Sequence, residues 1–236
     1  MTTQSIRWLW YASPQTFFPL AGRIARLAAL LAGIFALAGL YVGLFVAPTD
    51  AQQGEVYRII FIHVPAAWMS MFIYVVMAFW AALGLSMNTR LSFMMMRALA
   101  PTGALFTFIA LWSGALWGRP TWGTYWVWGD TRLMTELILL FLYFGVMALQ
   151  AAIDDRRRAD RAGALLAIVG VVNIPIIYFS VQWWNTLHQG ASVSFTRAPS
   201  MAAAMFTGMI LMALAFWLYS IAVAMLRVRC EIVETQ

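Results

Sequence analysis

The run Leu27-Ala-Ala-Leu-Leu-Ala-Gly-Ile-Phe-Ala-Leu-Ala-Gly-Leu-Tyr-Val-Gly-Leu-Phe-Val46 carries no charged side chain, and as a helix of about 20 residues it is long enough to cross the hydrocarbon of a bilayer. Arg23 and Arg26 stand directly before it. A run of this length exceeds the core of a secretory signal, so it predicts a retained first span rather than a cleavable leader. Trp8, Trp10, Phe17 and Phe18, which precede it, are expected along the membrane interface.

Outward from this stretch the same pattern recurs. Apolar runs separated by charged or turn-rich gaps predict spans near 25–47, 60–86, 98–117, 133–152, 162–183 and 201–226. The fold class is therefore all-α, a single polytopic membrane domain over residues 1–236 with six transmembrane helices. Composition agrees: 63% of the 236 residues are hydrophobic and 10% charged, outside the range of soluble domains. All fifteen basic residues are arginine. Eleven of them (Arg7, Arg23, Arg26, Arg90, Arg97, Arg156, Arg157, Arg158, Arg161, Arg227 and Arg229) flank one set of loops, and four (Arg58, Arg119, Arg132 and Arg197) flank the other. That asymmetry predicts both termini in the cytoplasm. It also assigns the net charge of +6 to topology rather than to a nucleic-acid partner. The Asp154-Asp155-Arg156-Arg157-Arg158 run reads as a solvated cytoplasmic turn. Cys230 is the one cysteine, so the chain has no internal disulfide and no cysteine metal cage, and on the cytoplasmic side it reads as an inert thiol.

Between the third and fourth spans, the extracytoplasmic segment 118–132 holds Trp122-Gly123-Thr124-Tyr125-Trp126-Val127-Trp128. A tryptophan cluster of this density can form an interfacial belt, pack a core, or hold a large planar ligand at the lipid boundary. Its spacing does not fit one helix face, which predicts a partly irregular shelf lying on the surface. The two histidines of the chain, His63 and His188, both fall at the same outer boundary. Either is explained as an interfacial residue bonded to backbone; together with the tryptophans they match the axial ligation of haem iron by two imidazoles. Pro65 fixes where His63 points, by starting its helix or by freeing backbone groups inside it. Gly190 permits a tight turn behind His188. The ligand sets of structural zinc and di-iron sites are missing, as are a catalytic triad signature and a phosphate-binding glycine loop.

Haem needs flat apolar contact, axial ligands and cations at its carboxylate edge. Trp122, Tyr125, Trp126 and Trp128 supply faces, with Trp183 and Trp184 beside His188 as further cofactor-binding candidates, and Arg58, Arg119 and Arg132 supply cations. Each has an ordinary alternative: headgroup snorkelling for Arg58 and Arg119, an i,i+4 pair with Glu136 for Arg132, and belt positions for Trp183 and Trp184. Asp130 orients a ligand or pairs with Arg132. Asn173 and Pro175 read as packing and helix-distortion features rather than a transport site.

The tryptophan segment with Asp130, Arg132 and Leu133, the stretch Tyr57-Arg-Ile-Ile-Phe-Ile-His-Val-Pro-Ala-Ala-Trp68, and His188 in the last outer loop resemble the CcmC family, tryptophan-rich haem-handling membrane proteins of bacterial cytochrome c maturation. The resemblance runs through nearly all six spans. It implies non-covalent haem b on the outer surface of the bacterial inner membrane, with His63 and His188 as axial ligands and Gly123 within the haem-binding segment. It further implies delivery of haem to the periplasmic chaperone CcmE, in company with the ABC-type transporter subunits CcmA and CcmB and the small membrane protein CcmD. Such a protein carries and transfers haem rather than acting as an enzyme, although it assists covalent attachment to the chaperone. One departure stands out: the family pattern Trp-Asp-x-Arg-Leu-Thr is here Trp128-Gly129-Asp130-Thr131-Arg132-Leu133-Met134, with an extra glycine and no threonine. The competing readings are a b-type electron-transfer subunit, disfavoured because both histidines lie at one boundary, and an export permease with the tryptophans as a belt.

Overall fold

A computed structural model describes residues 13–184, 186–188, 193 and 198–235. Trp8, Trp10, Arg7, Gly190 and Arg197 lie outside them. The described residues fold into helices α1 (Pro14–Tyr41), α2 (Ile60–Met87), α3 (Arg90–Trp122), α4 (Thr131–Ala152), α5 (Arg156–Gly170), α6 (Asn173–Trp183) and α7 (Ala203–Glu234), with no strand among them beyond an isolated bridge at Asp50 and Gly54. One π turn, Val42–Val46, prolongs α1, and a 3-10 turn, Glu55–Ile59, leads into α2. Counting α5 with α6, six segments are long and apolar enough to cross a membrane.

α1 begins at Pro14, well before the expected boundary near 25, because proline suits the first helical position, where its missing N–H has no intrahelical partner anyway. Phe17 and Phe18 are therefore part of α1 and pack against the core. The Phe18 ring also sits 4.3 Å below the Arg229 guanidinium of α7. α1 packs chiefly on α7 through a stripe of small residues, Ala21, Gly22, Ala25, Ala28, Ala32 and Gly39. Without a hydrophobic drive between helices in lipid, such stripes let backbones approach and gain dispersion contact. At Gly39 the approach is tight, since a Cβ there would come within 3.0 Å of the Met212 backbone nitrogen.

α2 and α3 form the other main pair, and the core they share with α4 includes Tyr74, Met77, Met94, Met96 and Tyr143. Two buried polar contacts tie α2 to α4. Ser70 Oγ donates to Glu136 Oε1 at 2.6 Å, and the Tyr143 hydroxyl donates to the Ser70 carbonyl at 2.7 Å. Glu136 thus finds its partner on α2, and the alternative of an intrahelical pair with Arg132 does not form: among the described residues no ion pair joins those two. The fifth span is broken at Val171–Val172, because Pro175 cannot donate to the Val171 carbonyl four residues back and its ring crowds it. Asn173 sits at the break and donates to the Thr135 carbonyl at 2.9 Å, holding α6 to α4.

At the arginine-rich end, Arg97 is drawn inward and bonds Asp160 of α5 and Glu231 of α7, the latter at 2.6 Å; Glu231 also accepts from Arg156 at 3.1 Å. This knot joins α3, α5 and α7.

Candidate functional site

His63 lies one turn into α2, and Pro65 is inside the helix, not at its start. Ser113 of α3 fixes the ring: His63 Nδ1 lies 3.0 Å from Ser113 Oγ. The Ser113 hydroxyl proton is already directed to the Ile109 carbonyl at 2.5 Å, so the serine oxygen accepts from Nδ1–H of His63. That hydrogen-bond network assigns the tautomer and leaves Nε2 with its lone pair. Directly beside the ring is Gly114, where a Cβ would stand 3.0 Å from His63 Cε1, so a side chain there would press on the ring. Trp117, one turn on, meets the His63 ring edge-on at 5.5 Å and donates from Nε1 to Gln53 Oε1 at 2.8 Å.

α3 continues through Trp122, five residues past the expected end, so Arg119 and Trp122 are helical and the irregular shelf is confined to 123–130. Gly123 ends the helix in the left-handed region at φ 80°, its N–H bonding the Arg119 carbonyl at 3.1 Å. The exposed Arg119 guanidinium donates to the Gly123 carbonyl and lies 5.7 Å from the Tyr125 ring. Trp126 folds back against the core, its buried Nε1 without a hydrogen-bond partner among the described residues, and meets Trp128 edge-on at 5.6 Å. Trp128 is 73% exposed.

Gly129 falls in a turn closed by Asp130 N–H donating to the Val127 carbonyl at 3.1 Å. Asp130, 3% exposed, then becomes the N-cap of α4: Oδ1 accepts from Leu133 N at 3.0 Å. Its Oδ2 accepts from Leu187 N at 2.8 Å, and Oδ1 lies 3.6 Å from His188 Nδ1. Asp130 therefore pairs with the His188 loop and not with Arg132, whose guanidinium donates to the Ile177 carbonyl of α6 at 3.2 Å. Trp122 meets the His188 ring at 5.1 Å. Burial pushes the His188 pKa down; Asp130 opposes that shift and Arg132 adds to it.

The outcome is one cleft of about 260 Å³, lined by His63, His188, Gly114, Trp117, Trp122 and Gln53. Both histidines and one shelf tryptophan meet there. The other expected residues do not line it. Tyr125, Trp126 and Trp128 belong to the adjoining shelf, Trp183 stacks on Phe179 at 5.1 Å beside Trp184, and Arg58 is engaged by Glu55 and by the carbonyls of Gly43 and Ala47. Ser113, Gly114, Trp117 and Gln53 escape a reading of the sequence. A signal did exist, since Ser113, Trp117 and Thr121 recur every fourth residue and so share one face of α3.

Among the described residues no group of three or more His, Cys, Asp or Glu side chains converges. Two imidazoles alone do not make a closed protein metal cage, but they suit a metal that arrives in its own planar ring, leaving only axial positions open. Fold and cleft together define a multi-pass helical membrane protein with an aromatic, two-histidine site at one end of its bundle. The family model described as CcmC, Heme exporter protein C, matches residues 7–236, and the chain belongs to that family. It is 44% identical over 230 residues to Heme exporter protein C of Haemophilus influenzae, covering 96% of this chain and 93% of the relative. Against Heme exporter protein C of Escherichia coli strain K12 it is 50% identical over 181 residues, 77% of this chain and 74% of the relative. A ccmC-like mitochondrial protein of cytochrome c biosynthesis from Marchantia polymorpha is 48% identical over 155 residues, 66% of this chain and 65% of that protein.

Proposed function

We propose that the protein binds haem b non-covalently at this cleft, with His63 and His188 as axial ligands, and passes it to a periplasmic chaperone of the CcmE type during cytochrome c maturation. Haem is cargo here, not a resident reagent. The observation that carries the reading is that the only two histidines of the chain line the same cleft between two tryptophans. Each ring has its Nδ1 turned toward protein, His63 to Ser113 and His188 toward Asp130, so that Nε2 of each is the nitrogen left for iron. Trp117 and Trp122 offer apolar faces, and Trp128 and Tyr125 extend that surface outward. Arg119 is the exposed cation beside the shelf, the best placed of the three arginines for a propionate. Arg58 and Arg132 act instead as structural ties.

A cleft of about 260 Å³ is smaller than an ordinary enclosed ligand pocket, which supports a haem held by one side and open on the other. An open edge is what transfer to another protein requires. The arginine asymmetry supports a periplasmic cleft with both termini in the cytoplasm. Assembly with CcmA, CcmB and CcmD belongs to the same reading.

The test is the absorption spectrum of the full chain purified from haem-producing cells, beside His63→Ala and His188→Ala. The expected parent signal is low-spin and six-coordinate, weakened or five-coordinate in either variant. A haem-free parent, or variants with the parent spectrum, would refute axial ligation by these residues.

A further inference from the structure

The end of the bundle remote from the histidines carries a second cavity, of about 300 Å³, between the start of α3 and the start of α5. Five arginines line it, Arg90, Arg97, Arg156, Arg157 and Arg161, against one carboxylate, Asp160. Along α3, the step from Met94 to Trp117 puts it about 35 Å from the histidine cleft. Arg97 is neutralised by Asp160 and Glu231, and Arg156 shares Glu231. Arg90, Arg157 and Arg161 make no ion pair among the described residues, and all three are exposed. Three guanidiniums without an ion pair among the described residues thus line a preformed hollow, beside the partly buried Arg97 knot. The N-cap of α3, Thr89, makes no side-chain cap bond, so the positive end of that helix adds to the field.

We propose that this cavity binds the phosphate of an anionic phospholipid head group. Guanidinium forks match phosphate oxygens and retain full charge at any physiological pH. Phe93 and Met94 give the cavity an apolar floor, and it opens at the ends of membrane-crossing helices, where a glycerophosphate head lies while its acyl chains run down the bundle. A soluble phosphate shares the charge but gains nothing from that apolar floor. The lipid ties the α3 start to the α5 start, two segments otherwise joined there through Arg97 and Asp160.

The test is thermal unfolding of the full chain in neutral detergent, with phosphatidylglycerol, phosphatidylcholine or matched inorganic phosphate added. Phosphatidylglycerol is expected to raise the midpoint of the parent by about 3 °C or more, in the manner of any ligand selective for the folded state. The double variant Arg157→Gln/Arg161→Gln should lose at least half of that gain. Arg158→Gln, at the same end but outside the lining, should keep it. The proposal is overturned by no rise in the parent, by an equal rise with phosphatidylcholine, or by a double variant that responds like the parent. An equal rise with inorganic phosphate overturns the lipid assignment in favour of a free-anion site.

Discussion

The Asp130 carboxylate lies 3.6 Å from Nδ1 of His188 and at the same time caps α4 and accepts from the Leu187 N–H. One side chain therefore sets both the end of the tryptophan shelf and the position of a histidine that the sequence places far downstream. Replacing it by alanine removes a cap worth about 1 kcal/mol and frees the His188 loop. Asp130→Ala should lower the midpoint of unfolding and reduce haem affinity by roughly 10-fold or more, as loss of an orienting partner behind a metal-binding histidine does. Asp130→Asn, which can still cap the helix, should spare the melting point more than the haem content. Calorimetry and a haem titration on the same samples separate the two effects.

Ser113 acts on His63 in a comparable way from α3. Ser113→Ala leaves the Nδ1–H of His63 unpaired in a half-buried place and releases the tautomer. Haem affinity should fall by roughly 10-fold, while the His63→Ala variant loses the ligand outright. Titration of both apo proteins followed by absorption gives the comparison.

Gly114 tests the closeness of α3 to the His63 ring. A Cβ would stand 3.0 Å from Cε1, so Gly114→Ala should shift the ring slightly and Gly114→Leu should displace it from the cleft. The expected series is a graded loss of six-coordinate haem signal with the protein still inserted in the membrane. A leucine variant with the parent spectrum would mean that His63 does not hold iron.

The pH dependence follows from the lowered His188 pKa, which burial causes against the pull of Asp130. A depressed native value means that folding favours the neutral ring. The stabilisation is complete above the ordinary imidazole pKa of about 6.5 and is lost as the pH falls through the lower native value. Haem retention should stay flat from about pH 8 to about 6.5 and decline only below that. In Asp130→Asn the normalised decline should begin at still lower pH, because the carboxylate is the group that raises the His188 value.

Arg97 offers a stability test away from haem. Arg97→Ala leaves Asp160 without an ion partner and Glu231 with Arg156 alone, and removal of one partner of such a partly buried set costs at most about 3 kcal/mol. The unfolding midpoint should fall clearly, whereas Arg23→Gln on the same side should leave it nearly unchanged. Thermal unfolding of both variants decides it.

Six membrane-crossing segments were legible in the sequence, because span length and hydropathy are imposed by the bilayer and need no knowledge of partners. Where helices continue beyond the hydrocarbon, local chemistry decides and the hydropathy signal is silent. Gly123, not the apolar boundary near 117, stops α3, and Pro175 breaks the fifth span inside an unbroken apolar run. The histidines and Trp122 stood out because their types are rare or clustered at one boundary. Ser113 and Trp117 did not, since within an apolar helix a serine reads as packing and a tryptophan as belt. Arg132 shows the limit of local pairing rules: the intrahelical partner four residues on was available, and the carbonyl of Ile177 on another helix took its place.

The turn at Trp128–Gly129 separates the length of the shelf from the register of α4. Because Gly129 lies in the turn between Val127 and the cap, the chain can lengthen or shorten there without re-registering Asp130 against α4 or the His188 loop. The shelf is thus built as a fixed hinge with an adjustable brim. The brim, ending in the outstanding Trp128 ring, is where the chain can change length while the contacts of Asp130 to Leu133 and Leu187 stay in place.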